Sequence, residues 1–119
     1  MIMLHVGEVL LSLVFILGGA STFLHPEPRA VQIARLRFPL AQVAVRINAA
    51  AMIVAGLFLA VGVWAQIAAW VLIVLLIPTT LFGHAFWLER GSVRQQQLSH
   101  FLKNLSLLGG LMLVTLVAR

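Results

Sequence analysis

The chain contains no cysteine, only three acidic residues and little charge of either sign. Lacking cysteine, it has no disulfide frame, no thiol nucleophile and no cysteine-ligated cluster, and the redox compartment leaves no mark on it. Charged residues make up 9% of the 119 and hydrophobic ones 62%, against roughly 25% and 45–50% in ordinary soluble domains. A mean hydropathy of +1.09 leaves too few polar side chains to clothe a water-facing surface. A soluble enzyme, a disordered tail and a nucleic-acid-binding domain are thereby excluded, the last despite a net charge of +5.

What the chain does have is long apolar runs. Residues 47–88 hold no charge over 42 positions. One helix of that length would measure ~63 Å, about twice the thickness of a hydrocarbon core. The run must fold back, and Gly62-Val63-Trp64-Ala65-Gln66 is the natural reversal: glycine permits the turn, and tryptophan suits the headgroup level. Two further runs flank this pair. The predicted helices cover 6–24, 41–62, 66–87 and 98–118, with His25-Pro26-Glu27-Pro28 ending the first and Pro39 placed just before the second, where its missing N–H does no harm. The first run lacks the basic segment that opens a cleavable signal, so it reads as retained. Continuous rather than alternating hydrophobicity argues for helices and against a β-barrel. The expected fold is all-α, an integral membrane bundle of four transmembrane helices in one domain over residues 1–119. Small residues at helical spacing (Ala51/Ala55, Gly56/Ala60, Ala65/Ala69, Ser106/Gly110) suit close helix packing.

Charge sets an expected orientation. The loops 25–40 and 88–97 carry Arg29, Arg35, Arg37, Arg90 and Arg94, whereas the 62–66 turn has no basic residue. The positive-inside rule places both long loops in the cytoplasm and both termini outside. Residues 29–38 also read as a short interfacial helix, with Arg29, Gln32 and Arg35 recurring against Val31, Ile33, Ala34 and Phe38.

Polar residues inside the spans collect at the long-loop end. Arg46 and Asn48 enter the second helix there; Pro78, Thr79, Thr80 and His84 lie in the third; His100, Lys103 and Asn104 share one face of the fourth at i, i+3 and i+4. His25 closes the first. Ionisable side chains in a membrane segment mark a candidate site, although Arg46 and Lys103 also lie within snorkelling reach of the headgroups. The expected polar pocket comprises Arg46, Asn48, His84, His100, Lys103 and Asn104. Glu89 is the expected counter-charge of Arg46 or Lys103, and the Thr hydroxyls are expected to help re-satisfy the carbonyl that Pro78 frees. His5 sits at the opposite end from the other histidines, and no tight spacing among His25, His84 and His100 supports a haem or a bare metal. Glu8 is expected to reach the interface.

Three segments resemble the DoxX family: Val45-Arg46-Ile47-Asn48-Ala49-Ala50, then Pro78-Thr79-Thr80-Leu81-Phe82-Gly83-His84-Ala85-Phe86-Trp87, then His100-Phe101-Leu102-Lys103-Asn104-Leu105-Ser106-Leu107-Leu108-Gly109-Gly110. Their spacing is similar to that of the actinobacterial-type branch, and the first helix matches only in general pattern, including Gly18-Gly19. The resemblance implies a four-helix protein of the bacterial inner membrane. The family takes its name from the small subunit of a thiosulfate:quinone oxidoreductase, while most members have no assigned reaction. Arg46, Asn48, His84, Lys103 and Asn104 carry over. Many members have a basic residue near the end of the first helix, where this chain has Thr22-Phe23.

The resemblance and the pocket together favour a redox-linked membrane subunit, quinone- or sulfur-related. It would act with membrane or peripheral redox partner proteins and be at most one subunit of an oxidoreductase. Quinone is the candidate cofactor. A non-catalytic anchor or assembly subunit is the alternative, followed by a small proton-coupled transporter. Membrane lipid is an expected partner, nucleic acid is not, and the small-residue faces allow a homo-oligomer.

Overall fold

The computed structural model describes residues 2–35 and 40–117, apart from the side chains of Arg29, Gln32 and Ile33. Pro39 and residues 36–38 of the expected interfacial helix lie outside the described residues. Five α-helices follow in order: α1 Ile2–Leu24, α2 Glu27–Ala34, α3 Ala41–Val61, α4 Ala65–Gly83 and α5 Gly91–Thr115, with a single 3-10 turn, Phe86–Leu88, between the last two. Among the described residues, four helices are long and apolar enough to cross a membrane. The protein is an all-α, four-helix membrane bundle, and its outward apolar side chains contact lipid. A sheath of apolar side chains on the outside is what hydrocarbon demands, with the backbone groups paired largely within the helices.

Local chemistry sets the helix ends. Gly62 caps α3 in the left-handed conformation (φ 77°) and donates its N–H to the Leu59 carbonyl. Trp64 is also left-handed (φ 51°), a strained geometry for an L-residue, and its ring stacks on Phe58 at 5.9 Å. This is the predicted reversal. Two ends differ from expectation. α4 stops at Gly83, so His84 leaves the helix; the apolar character of 84–88 hides that break. α5 begins at Gly91, seven residues before position 98. Arg94 and Gln95–Gln97 are good helix formers, but they lack the apolar period on which the prediction rested.

The bundle is built as a row. α1 lies along α3, α3 on α4 and α4 on α5, while α1 and α5 barely meet. Phe15, Leu59, Leu72, Leu76 and Leu111 belong to a core concentrated toward the 62–66 turn. At that end, Leu11 of α1 approaches Gly110 of α5. Gln66 also donates to the Thr115 carbonyl at 3.2 Å and to that of Val117, tying α4 to the end of α5. Toward the long loops the α1–α5 seam stays open.

Glycine makes the α1–α3 contact close. A Cβ on Gly19 would lie 2.8 Å from Ile53 Cγ1 and 3.1 Å from the Ala49 carbonyl oxygen, whereas one on Gly18 meets nothing within 4 Å. Carbonyl and helix cannot both yield. Gly19→Val is expected to destabilise the bundle by about 1–3 kcal/mol through overpacking. Gly18→Val should leave the thermal midpoint in detergent unchanged or raise it, because valine loses less backbone entropy than glycine. Equal midpoints for the two variants would contradict this packing.

The register also corrects the reading of Glu8. The buried residues of α1 are Glu8, Ser12, Phe15 and Gly19, spaced as one helical stripe. Since Gly19 must face α3, Glu8 faces inward as well and is only 1% exposed. Ser12, one turn on, is fully buried and donates its hydroxyl to the Val9 carbonyl at 2.7 Å.

Candidate functional site

The polar site begins at Pro78. Proline in a helix interior leaves the carbonyl four residues earlier, here that of Val74, without its N–H partner; the Thr79 hydroxyl, expected to help re-satisfy it, bonds the next carbonyl along instead. Thr79 donates Oγ1–H to the Leu75 carbonyl at 2.9 Å. The oxygen of that hydroxyl accepts Nδ2–H of Asn48 from α3 at 2.7 Å. The adjacent Thr80, 3% exposed, accepts Nδ2–H of Asn104 from α5 at 3.0 Å. Two consecutive threonines thus tie α4 to the helices on both sides, each bond of a kind measured at about 0.6 and at most ~1.7 kcal/mol within membranes.

Beyond this rung the backbone leaves α4 and turns His84 inward. The ring is 6% exposed, its Nδ1 lies 2.8 Å from Gln97 Oε1, and it stacks on His100 with centroids 5.0 Å apart and planes 22° from parallel. Phe86, Trp87 and Phe101 pack edge to face and hold the 3-10 turn against α5. Arg94 lies over Phe86 at 5.8 Å. On the other side, Arg35 at the end of α2 is ion-paired with Glu89 and donates to the Leu88 carbonyl at 3.3 Å. Glu89 is therefore committed to Arg35 rather than to Arg46 or Lys103 as expected from sequence.

These elements enclose a cavity of about 840 Å³. Val14, Gly18 and Thr22 of α1 and Ala44, Ile47 and Met52 of α3 supply a largely apolar side. Asn48, Thr79, His84, His100, Lys103 and Asn104 gather the polar groups toward the long-loop end. The walls come from four helices, of which α1 and α5 pack least against each other. No acid lines it among the described residues.

Five of the six expected pocket residues line one cavity. Arg46 stands apart: it is exposed, with its guanidinium 5.8 Å from the centroid of Phe23. Position 46 lies on a different side of α3 from Val45, Asn48 and Ala49, so its depth along the helix misleads about its direction. It does place a cation at the end of α1, near the point where the chain has Thr22-Phe23 in place of a basic residue. His25 and His5 are exposed, and no group of three metal-ligating side chains forms among the described residues. Sequence reasoning missed Gln97, which it assigned to a loop. The available signal was its i, i+3 spacing to His100 on a helix that starts earlier than predicted.

Neither the curated proteins nor the solved structures compared with this chain include a match. The DoxX family model, however, matches residues 3–85. That stretch runs from the start of α1 through Asn48, the Pro78-Thr79-Thr80 rung and His84, and leaves the α5 segment outside. On that match over most of its length, the chain belongs to the DoxX family.

Proposed function

We propose that the protein binds a quinone-type amphiphile from the bilayer in this cavity and serves as a redox-linked membrane subunit, with electrons supplied or removed by a partner protein. One observation carries this reading: a cavity of about 840 Å³ with an apolar side and a donor-rich end, lined in part by the sparsely packed α1 and α5. Its volume falls within the range of small-molecule sites, roughly 300–1,000 Å³. An isoprenoid or alkyl tail fits along α1 and α3, while Lys103 and the amides meet the oxygens of the headgroup. The chain contributes binding and orientation; electron transfer chemistry belongs to the bound group. By the positive-inside rule, the polar end faces the cytoplasm of a bacterial inner membrane.

The test is calorimetric titration of the protein in phospholipid nanodiscs with a decyl-substituted benzoquinone. Saturable binding near one per chain supports the reading; unsaturable partitioning equal to that of empty discs contradicts it.

A proton-coupled transporter draws on a different observation, the buried Glu8. Glu8 is not among the residues that line the cavity, which places this reading second. Cation efflux from vesicles that Glu8→Gln abolishes would put it first.

A further inference from the structure

We propose that the cavity holds its ligand as an anion: a quinone whose ring carries an ionised hydroxyl, set against Lys103. The inference rests on the quinone-type reading above and specifies the charge of the headgroup. The chain has only three acidic residues, and none lines the cavity. Glu89 is ion-paired with Arg35, and Glu27 is exposed in the first turn of α2. Glu8 lies nearer the start of α1 than any residue of the cavity wall.

The cations are unevenly served. Arg35 has Glu89, Arg46 has the ring of Phe23, and Arg94 has that of Phe86. Lys103, on the cavity wall, has no ion pair, hydrogen bond or ring partner among the described residues. Its level is set by its neighbour Asn104, which is bonded to Thr80 of α4 at 3.0 Å. A cation held there loses hydration, and an opposite charge in contact offsets that loss.

The other polar groups of the wall lean the same way. His84 and His100 are neutral or positive in either protonation state, and the asparagines and threonines are uncharged. The wall thus carries positive charge with no carboxylate to balance it, so an anionic headgroup gains there. A hydroxyl on a quinone ring ionises readily, because the negative charge spreads onto the carbonyl oxygens. The resulting anion keeps the shape of its neutral parent, and the apolar side along α1 and α3 still takes the tail.

The test is calorimetry in zwitterionic nanodiscs with two naphthoquinones, each bearing a decyl chain. One carries an ionised hydroxyl on the ring and the other a methyl group of similar size. Each compound's partition into empty discs is subtracted. The hydroxy compound should bind roughly tenfold tighter, a gain between that of an ion pair in water and one near a protein surface. The preference should vanish in Lys103→Met and persist in Arg46→Gln, which removes an exposed cation that lines no part of the cavity. Equal affinities, or tighter binding of the methyl compound, overturn this proposal and leave the proposed function standing. A preference that survives in Lys103→Met, or that Arg46→Gln removes as well, overturns the assignment to Lys103. Should neither compound bind, both readings fall. If Lys103→Met fails to fold, the native-chain comparison still decides.

Discussion

Gly18→Trp is expected to abolish quinone binding while leaving the bundle as stable as before. Gly18 lines the cavity, and a Cβ built on it meets no atom within 4 Å. A side chain at that point therefore starts in open space at the cavity wall. An indole would cover roughly 150–250 Å² of surface, enough to occupy the space between α1 and α5 that an alkyl tail needs. Removing a mid-helix glycine favours the folded state by about 0.5–1 kcal/mol. Affinity should fall at least about tenfold, or ~1.4 kcal/mol, with an unchanged or higher thermal midpoint. Steric closure without destabilisation separates this variant from Gly19→Val one position along. Undiminished affinity in Gly18→Trp would mean that the ligand does not use this cavity.

Lys103→Met is expected to weaken binding by about tenfold, the lower end of what a hydrogen bond to a charged group contributes (~1.5–3 kcal/mol). The lower end applies because Lys103 is exposed at the cavity's rim, where water and headgroups compete for it. Methionine keeps the length and apolar stem while removing the ammonium, so packing along α5 is retained. Arg94→Gln is the matched control: Arg94 lies over Phe86 rather than on the cavity wall, and the loss of a screened surface charge should change affinity by no more than about twofold. Equal losses in both variants would show that net surface charge, not a contact at Lys103, governs binding.

Much of this architecture is legible in the sequence because lipid removes alternatives. Uninterrupted apolar runs in a bilayer can only be helices, and Gly62 marks the natural reversal of the 47–88 run. The polar end was legible too, since Asn48, His84, His100, Lys103 and Asn104 all fall at the same depth. Depth, however, is not direction. Arg46 shares their level yet sits over Phe23, and Glu8, though close to a helix end, belongs to the inward stripe of Ser12, Phe15 and Gly19. Reading those directions requires knowing which face of each helix is in contact, and a chain apolar on every side conceals it. Hydrophobic contrast, the usual guide to the buried face, is weak when both core and surroundings are oily. The partners of Glu89 and Gln97 were hidden for a second reason. Both sit where helix boundaries were misjudged: α4 ends at Gly83 and α5 begins at Gly91, so a presumed loop supplies two helical turns and the residue that orients His84.

The central claim is that the open space between α1 and α5 holds a redox-active amphiphile. Its most direct measurement is calorimetric titration of decyl benzoquinone into nanodiscs carrying the native chain or Gly18→Trp, side by side. The account predicts saturable binding near one per chain in the native protein and its loss in the variant at unchanged thermal midpoint. Saturable binding of equal strength in both, or none in either, would contradict it.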